Sequence, residues 1–315
     1  MTTASKPGGV APEISVVIPC YNEEENAEAI AAAVAAELGS LKADYEIIFI
    51  DNASTDRTVE LVTAMCAADP RIKLIANNRN YGQMRSPTYG IYQAAGRAVI
   101  AMCADFQDPP ALIAQFVTRW RDGASIVLGV RASEKTSIQL GLARRAAYGF
   151  LGQFADYRVI PGATGFGVYD RKVVDALSAW REPEPFFRGM LVESGFPIEI
   201  IPYDRPDRAG GTSKNNFSTL LSFALSGLAS SSRNLLRLPF YAAALLGALA
   251  GLTFLGGLVA VALGSNPGLW LIALLVEICF ALTFGFLGLM GEQIRLIAER
   301  GRNTPLVIEK ARVNF

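Results

Sequence analysis

The chain has 315 residues, 29 of them basic and 29 acidic, so its formal net charge is zero, and it contains no histidine. Without histidine, a Ser-His-Asp triad, a histidine-ligated metal and a histidine general base are all excluded. Any chemistry must run on carboxylates, cations and a metal ion, and the balanced charge gives no reason to expect a nucleic-acid partner.

The first part of the chain alternates between strand and helix patterns. Residues 1–13 contain one lysine, two prolines and no apolar core, so we expect a disordered lead-in there and neither a signal nor a transit peptide. Short apolar runs then alternate with helical patterns, which is typical of βαβ units and a largely parallel sheet. The predicted strands are 14–18, 45–50, 72–76, 98–102 and 125–130, and the predicted helices are 23–38, 56–67, 83–95 and 109–121.

Three of the predicted strands end in polar clusters. The first strand leads into residues 19–23, the second into 51–56 and the fourth into 103–110. Each cluster holds a credible helix cap, so any one alone has a structural explanation, and for Asp108 a helix cap and a functional role stay equally open. Because open α/β sheets bind ligands outside the carboxyl ends of their strands, the three clusters together indicate a binding site.

The residue types in these clusters suit a nucleotide diphosphate. Asp105 and Gln107 stand two residues apart, so an extended chain places both on one side, and their oxygens are ligands of the kind that Mg²⁺ takes together with substrate phosphates. Tyr21 offers a stacking face, and Asp51 can accept a hydrogen bond from a base or ribose. The chain has neither a P-loop motif nor a G-x-G-x-x-G motif, so no other phosphate-binding fingerprint competes.

The region after Leu238 holds nearly all of the long apolar runs. Residues 238–264 contain no charged residue, and residues 269–290 contain only Glu277. Each run exceeds the roughly 20 residues that a membrane-spanning helix needs, so a transmembrane hairpin over 238–290 is predicted, with a buried hairpin in a soluble core as the alternative. Glu277 should face protein rather than lipid, which favours contact with a second copy of the chain in a homo-oligomer.

The flanks of the hairpin set its orientation. Arginines precede the first run and follow the second, whereas the turn between the two runs is uncharged. By the positive-inside rule, the α/β region before the hairpin and both termini are expected in the cytoplasm, at the inner membrane. Residues 216–237 carry apolar side chains at helical spacing and are predicted to form an interfacial amphipathic helix, and residues 291–315 a cytoplasmic tail.

In this order, the motifs resemble those of the family-2 inverting glycosyltransferases of the GT-A fold, specifically the polyprenyl-phosphate branch with dolichyl-phosphate mannose synthases and bactoprenol glucosyltransferases. Residues 17–23 resemble V-x-P-x-Y-N-E, residues 51–56 D-D-x-S-x-D, and residues 105–110 the end of D-x-D-L-Q-D-P-P; residues 80–83 resemble N-x-G, and residues 208–214 R-x-x-G-x-S-K. The resemblance covers nearly the whole chain. It implies an α/β GT-A domain, Rossmann-like with a mostly parallel sheet, over residues 14–215, followed by the interfacial helix and the transmembrane hairpin.

The resemblance also implies roles for individual residues. The expected contacts of the nucleotide sugar are Pro19, Tyr21, Asn22, Glu23, Asp51, Gly82, Gln83 and Asp105, and the expected ligands of Mg²⁺ or Mn²⁺ are Asp105 and Gln107. The expected contacts of a lipid phosphate are Arg131, Arg144, Arg145, Arg208, Ser213 and Lys214, and the expected catalytic set is Asp105, Asp108, Arg131, Arg208 and Lys214. For Arg144 and Arg145, a solvated helix face is the alternative.

The missing histidine fits a phosphate acceptor. A lipid phosphate has a second pKa of about 6, so its oxygen is already an anion in the cytoplasm and needs no strong general base. The expected reaction is an inverting transfer of one sugar from a nucleotide diphosphate sugar to a polyprenyl phosphate such as undecaprenyl phosphate, for modification of a cell-envelope glycan. Uridine is favoured over guanosine by the resemblance to bacterial members.

Two positions depart from the family motifs and keep alternatives open. Cys103 stands where the motif has its first metal-site aspartate, and Asn52 where it has a second aspartate. A thiol is a poor ligand for Mg²⁺ or Mn²⁺ compared with a carboxylate, which leaves open a non-catalytic membrane scaffold of the same fold. Transfer to a lipid or glycan hydroxyl is the other alternative, and it would need Asp108 as a base.

Overall fold

The structure, a computed structural model, describes residues 11–132, 160–180, 182–204 and 206, scattered positions between 272 and 301, and residues 304–315. Several predicted features lie outside the described residues: the interfacial helix, the first apolar run 238–264, and the residues Arg144, Arg145, Arg208, Ser213 and Lys214. The described positions of the second run are helical. Within the part of the chain that the structure describes, no helix combines the length and apolar character needed to cross a bilayer.

The described residues form an α/β domain with a single sheet. Its strands are β1 (Ile14–Cys20), β2 (Tyr45–Asp51), β3 (Ile72–Asn77), β4 (Ala98–Ala101), β5 (Ile126–Arg131), β6 (Ala163–Asp170), β7 (Ile198–Tyr203) and β8 (Glu309–Val313). Its helices are α1 (Ala27–Ser40), α2 (Thr58–Ala68), α3 (Gly82–Gln93), α4 (Leu112–Arg121), α5 (Arg171–Ser178) and α6 (Phe187–Glu193). The five predicted strands and four predicted helices are all present, with ends shifted by a few residues.

The shifted start of α1 has a clear cause. The sequence predicts a helix from residue 23, but α1 begins at Ala27. The backbone amides of Asn22, Glu23 and Glu24 instead donate to side chains of the loop after β2 and of the first residue of α2, at 2.8, 2.9 and 3.3 Å. Residues 21–26 therefore form a loop that is held to the neighbouring strand connection.

The strand order is β7-β5-β6-β4-β1-β2-β3-β8. The four central strands β4, β1, β2 and β3 run parallel, as expected from the alternating pattern, and β7 runs parallel to β5. β6 lies antiparallel between β4 and β5, and β8 pairs antiparallel with β3. The carboxyl ends of β1, β2 and β4 consequently meet at one edge, where the three polar clusters were predicted to converge.

Helices cover both faces of this sheet. Ile14, Val16 and Ile18 of β1 belong to the core on the side of α1, α2 and α4, while Val17 belongs to the core on the side of α3 and α5. All seven residues of β2 are buried, as is typical of a strand inside a parallel sheet whose two faces are both covered.

Both ends of the described domain correct the predicted domain boundaries. Glu13 belongs to the predicted lead-in, yet its carboxylate pairs with Arg121 at 2.8 Å and its carbonyl accepts from Ala98 N at 3.0 Å. At the other end, residues 309–313 of the predicted cytoplasmic tail form β8. The α/β domain therefore begins before residue 14 and includes a C-terminal strand that lies outside the predicted range 14–215.

Candidate functional site

Three loops at the carboxyl edge of the sheet contain residues in the left-handed region. Asn22 after β1, Ala53 after β2 and Phe106 after β4 have φ angles of 55°, 64° and 58°. For residues with a side chain this conformation is costly and persists only where the surrounding contacts determine it, which is common at binding sites. Each of the three predicted clusters thus has one fixed, strained position.

The loops after β1 and β2 are tied to each other. Asn22 N donates to Ser54 Oγ at 2.8 Å, and Thr55 N donates to Asn22 Oδ1 at 2.7 Å. Glu23 N donates to Thr58 Oγ1 at 2.9 Å. Asn22 and Glu23, both predicted to contact the nucleotide sugar, therefore also hold these loops together.

Tyr21 and Pro19 lie at the same edge. The side chain of Tyr21 is 37% exposed, so its ring presents a surface on which a base could stack. Pro19 is half-buried near the end of β1 and stands beside Ile50 of β2. This part of the site is apolar and open, as a nucleoside requires.

Asp51 lies at the end of β2 and is only 1% exposed. Its Oδ2 and Oδ1 accept from Ser54 N at 3.1 and 3.4 Å. Burial raises the pKa of Asp51, although the hydrogen bonds from Ser54 oppose this effect. The carboxylate is thus preorganised as an acceptor beside the predicted nucleoside position.

Asn52 is the centre of a buried amide network. Its Nδ2 donates to Asn80 Oδ1 at 2.9 Å and to Gly82 O at 3.3 Å. Its Oδ1 accepts from Asn77 Nδ2 at 3.2 Å and from Tyr81 N at 2.8 Å. Asn52 therefore links the end of β2 to the start of α3.

Gly82 and Gln83 begin α3 at this edge. Gly82 has φ 81°, which favours glycine, and its N–H donates to Asn80 Oδ1 at 2.8 Å. Both residues are exposed. The amide network of Asn52 thus presents the N-terminus of α3, where partial positive charge favours a phosphate, next to Asp51.

A C-terminal segment, residues 304–315, lies along α3 and β3. Three α3 side chains spaced four residues apart, and therefore on one helix face, bind this segment. The contacts are Arg85 to Pro305 O and Leu306 O at 3.0 Å each, Tyr89 to Glu309 Oε1 at 2.8 Å, and Gln93 Oε1 to Arg312 at 2.8 Å. The segment thereby fixes the helix that presents Gly82 and Gln83.

The loop after β4 carries the predicted metal ligands. Asp105 is 6% exposed, and its Oδ1 accepts from Gln107 N at 3.2 Å across the left-handed Phe106. Within the described ranges, no cluster of three or more histidine, cysteine or acidic side chains could enclose a metal. A carboxylate and an amide oxygen nevertheless suit a hard cation that completes its coordination with water and substrate phosphates. The donor set thus fits Mg²⁺ or Mn²⁺.

Asp108 has a different environment from the one that a helix cap requires. α4 begins at Leu112 with Ala111 at its N-cap and no side chain caps it. Asp108 is 2% exposed, its Oδ2 accepts from Cys103 N at 3.0 Å, and its Oδ1 accepts from Tyr203 OH at 3.0 Å. Burial raises the pKa of Asp108, and hydrogen bonds from Cys103 and Tyr203 oppose this effect. Asp108 is therefore part of the site structure and not a helix cap.

Arg131 ends β5 next to Asp108. It pairs in register with Tyr203 of β7, and its positive charge opposes the rise in the pKa of Asp108. Tyr203 was not among the residues predicted from the sequence. The short run 198–203, which is apolar except for Glu199, could have indicated a strand there, but no local signal shows that its last residue reaches Asp108.

Comparison with known proteins agrees with this geometry. The model of the family "Glycosyl transferase family 2" matches residues 15–177. The uncharacterized glycosyltransferase sll0501 of Synechocystis sp. is 32% identical, over 94% of this chain and 94% of its own length. The SfII prophage-derived bactoprenol glucosyl transferase of Shigella flexneri is 30% identical, over 95% of this chain and 97% of its own length.

A solved structure shares the architecture. Glucosyl-3-phosphoglycerate synthase from Mycobacterium tuberculosis, in complex with Mn²⁺, uridine diphosphate and phosphoglyceric acid, superimposes with a TM-score of 0.50 at 17% identity. The match covers 72% of this chain and 83% of that protein. Together with the family match, this likeness identifies the sheet and its helices as a GT-A fold. The chain therefore belongs to glycosyl transferase family 2.

Proposed function

We propose that this protein transfers one sugar, with inversion, from a nucleotide diphosphate sugar to a polyprenyl phosphate. The bactoprenol glucosyl transferase of Shigella phage SfV, like the relative from S. flexneri, is 30% identical over 95% of this chain. This similarity extends beyond the family match at 15–177 into the C-terminal region. Such relatives support a polyprenyl phosphate acceptor. The proposed donor is a uridine diphosphate sugar, as the sequence motifs led us to expect.

The environment of Asp108 is the observation that favours a phosphate acceptor over a hydroxyl. A hydroxyl acceptor needs a base that can reach it, and Asp108 was the predicted base. Asp108 is 2% exposed, and a proton taken up as a base would go to a carboxylate whose oxygens accept from Cys103 N and Tyr203 OH. Protonation would weaken these contacts, whereas the hydrogen bond proposed for Asp51 needs only a further lone pair and no proton transfer. A phosphate with a second pKa near ~6 is largely ionised at neutral pH and needs no base.

Other described residues are assigned to the nucleoside, the metal ion and the acceptor phosphate. Tyr21 stacks on the base, and Asp51 accepts a hydrogen bond from the nucleoside. Asp105 and Gln107 would hold Mg²⁺ or Mn²⁺, and the ion would supply positive charge for the leaving diphosphate. Arg131 contributes positive charge beside these groups and orients a phosphate behind the anomeric carbon.

The acceptor implies a membrane location, which we also propose. The described helical positions between 272 and 301 expose large apolar side chains: Ile272, Val276, Leu287, Ile294 and Ile297 are 57%, 46%, 56%, 62% and 66% exposed. Exposed apolar surface of this kind supports contact with a lipid bilayer. The arrangement is a catalytic domain with both termini at the cytoplasmic face of the inner membrane, as the positive-inside rule predicts.

Release of nucleoside diphosphate tests the proposal. Purified protein in detergent is given a panel of nucleotide sugars, undecaprenyl phosphate, and Mg²⁺ or Mn²⁺. Release should require both lipid phosphate and metal, and it should be lost in Asp105→Ala. Asp122→Ala removes an exposed carboxylate at the end of α4 and serves as the matched control.

Two results would contradict the proposal. Release with a lipid alcohol but not with the lipid phosphate would establish a hydroxyl acceptor. Metal-dependent nucleotide binding without release of nucleoside diphosphate from any donor would favour the non-catalytic scaffold, the alternative that Cys103 and Asn52 leave open.

A further inference from the structure

A buried contact joins the loop after β4 to the edge strand β7. Tyr203 is 7% exposed, and its hydroxyl donates to Asp108 Oδ1 at 3.0 Å. The other carboxylate oxygen of Asp108 accepts from Cys103 N at 3.0 Å. A buried carboxylate needs such donors to offset the loss of water. Asp108 thus connects two elements that are 95 residues apart in sequence.

The Asp108–Cys103 hydrogen bond closes a ring around the predicted metal ligands. The ring spans residues 103–108 and so encloses Asp105 and Gln107. Inside it, Gln107 N donates to Asp105 Oδ1 at 3.2 Å. The position of the Asp108 carboxylate therefore affects the conformation of the segment that carries both ligands.

The direction of the Tyr203 hydroxyl is fixed by packing around its ring. The Tyr203 ring meets the Phe166 ring edge-on, with centroids 5.6 Å apart. The backbone carbonyl of Tyr203 accepts a hydrogen bond from Ala132 N at 2.8 Å. A Cβ on Gly129 would lie 3.1 Å from the ring, so the absence of a side chain there leaves room for it. Burial raises the pKa of Tyr203 to about 12, so at neutral pH the hydroxyl keeps the proton that it donates.

The ring and the hydroxyl of Tyr203 make different contacts, so a substitution can remove one set and keep the other. A phenylalanine would fill the same space against Phe166 and Gly129, because these contacts involve only the ring. Only the hydroxyl reaches Asp108. Groups that orient metal ligands from outside the coordination sphere commonly contribute ~10–100-fold to metal affinity or activity.

We propose that Tyr203 is a positioning residue, whose hydroxyl fixes Asp108 and through it the loop 103–108 that carries Asp105 and Gln107 beside Arg131. This inference rests on the proposed function, because the loop is taken to hold the metal that binds the nucleotide sugar. It assigns Asp108 the role of a support for that loop, in place of the role of a base.

The test compares Tyr203→Phe with wild-type protein in Mn²⁺ binding and in turnover. The dissociation constant of Mn²⁺ in the presence of uridine diphosphate, measured by electron paramagnetic resonance, should rise roughly tenfold, in line with other second-sphere substitutions. At saturating Mn²⁺, kcat should fall roughly tenfold while KM for the nucleotide sugar changes less than twofold. Tyr92→Phe is the matched control, because it removes a hydroxyl that donates to Leu177 O at 3.2 Å, away from this loop.

A double-variant comparison separates positioning from a general structural effect. In an Asp108→Ala background, Tyr203→Phe should weaken Mn²⁺ binding by less than a further twofold, because the hydroxyl acts through Asp108. The inference would be overturned if Tyr203→Phe weakened Mn²⁺ binding by the same factor in the Asp108→Ala background as in the wild-type protein. Tyr203→Phe with a lowered melting temperature but unchanged Mn²⁺ affinity and unchanged kcat per folded molecule would also overturn it.

The binding measurement also separates this inference from the proposed reaction. Mn²⁺ binding that weakens in Tyr203→Phe, without turnover of any donor by wild-type protein, would support the positioning role and contradict the proposed transfer. Absence of Mn²⁺ binding by wild-type protein would overturn the inference and the proposed metal site together.

Discussion

At the scale of single residues, Asn52 shows how a departure from a family motif can be built into a fold. An asparagine side chain can donate and accept at once, whereas an ionised aspartate only accepts. Both of these abilities are used here: Asn52 donates to Asn80 Oδ1 and Gly82 O, and accepts from Asn77 and Tyr81. The amide therefore ties the loop after β2 to the N-terminus of α3, a task that a carboxylate cannot perform with these partners.

The first prediction is that Asn52→Asp weakens donor binding. The carboxylate would face two acceptor oxygens, Asn80 Oδ1 and Gly82 O, which would displace the start of α3. We expect KM for the nucleotide sugar to rise roughly tenfold, the equivalent of one lost hydrogen bond of about 1.4 kcal/mol, with a smaller change in kcat. Steady-state kinetics with a saturating acceptor measures both constants.

The control for this prediction makes the same chemical change nearby. Asn78 is exposed, and its side chain accepts a hydrogen bond from Tyr81 OH at 2.8 Å, which an aspartate retains. Asn78→Asp should therefore leave KM within about twofold of the wild-type value, since its acceptor is preserved. Equal effects of the two substitutions would show that charge near α3, and not the amide network, determines donor binding.

Glu46 supports the opposite end of the sheet from the site. It is 3% exposed, its Oε2 forms an ion pair with Lys73 Nζ at 2.7 Å, and its Oε1 accepts from Ser15 Oγ at 2.5 Å and from Ala95 N at 2.7 Å. Burial alone would raise the pKa of Glu46, but these hydrogen bonds outweigh it and lower the pKa below its ordinary value of 4.5. Its ionised form is therefore stabilised by folding.

The second prediction concerns Glu46→Gln. At pH 7 the free energy of unfolding should fall by roughly 2–3 kcal/mol, because Lys73 keeps its charge and loses its partner. A lowered native pKa stabilises the fold above the unfolded value of about 4.5, and this stabilisation is lost as pH falls through the lower native pKa. The difference between wild type and variant should therefore shrink below pH ~4.5.

Urea unfolding at pH 7 and at a pH below 4 measures this difference. Glu60→Gln is the control, because Glu60 pairs with Arg57 on the surface with side chains 66% and 65% exposed, and its free energy of unfolding should hardly change. A destabilisation by Glu46→Gln that is equal at both pH values would contradict the assignment of the effect to the ionised carboxylate.

At the scale of elements, the predictable ones were those with a local pattern. β1 to β5 and helices α1 to α4 followed from short apolar runs alternating with helical spacing. β6 contains Gly165 and Gly167, and a Cβ on Gly167 would lie 2.3 Å from Val127 O, so close strand packing requires a residue that weakens the strand pattern. β8 is the charged segment Glu309–Val313, which is suited to a sheet edge but has no apolar run to reveal it.

The residues of the candidate site likewise fall into those that the sequence could identify and those that it could not. Tyr21, Asp51 and Asp105 could be placed at one sheet edge because each follows a predictable strand. Tyr203 and the partners of Asn52 could not be identified, because their roles depend on contacts between distant parts of the chain. Motif spacing reports which residues are near a strand end, but not which side chains hold the others in place.

The third prediction is that the C-terminal segment is needed for the order of α3 and β3. Deletion of residues 304–315 removes the antiparallel partner of β3 and the groups that bind Arg85, Tyr89 and Gln93. Hydrogen exchange of the otherwise full-length chain should accelerate in β3 and α3, because exposed strand amides lose protection. α4, which packs against β5 and β6, should change little and serves as the internal control.

A uniform acceleration across the sheet would contradict this local role. It would show that β8 contributes to the stability of the whole domain and not specifically to α3 and β3. Acceleration in β3 alone would assign the segment to edge protection, with no part in presenting Gly82 and Gln83.

At the scale of the whole molecule, the chain leaves and rejoins the same sheet at opposite edges. β7 is the first strand in the sheet order and β8 is the last, and the intervening chain contains the long apolar runs. Eight strands at a spacing of about 4.8 Å give a sheet roughly 34 Å wide. Whatever lies between β7 and β8 must span this width, so the apolar region is fastened to the catalytic domain on both sides.

The last prediction follows from this double connection. Residues 238–290 are replaced by a flexible glycine-serine linker of about 40 residues, whose root-mean-square span of ~35 Å matches the width of the sheet. The variant keeps β8 and its contacts with α3, so Mn²⁺-dependent binding of uridine diphosphate should stay within about twofold of wild type, the scatter expected when no contact is lost. It should float with liposomes much less than the full chain, because the two long apolar runs are gone and only the predicted interfacial helix 216–237 and exposed side chains such as Ile294 and Ile297 remain. Transfer to a water-soluble short-chain polyprenyl phosphate should survive while transfer to undecaprenyl phosphate in vesicles is lost. If the linker variant floats as well as the full chain does, the membrane contact lies outside 238–290. If the variant loses uridine diphosphate binding, the apolar region shapes the donor site directly, and membrane contact and donor binding are not separable.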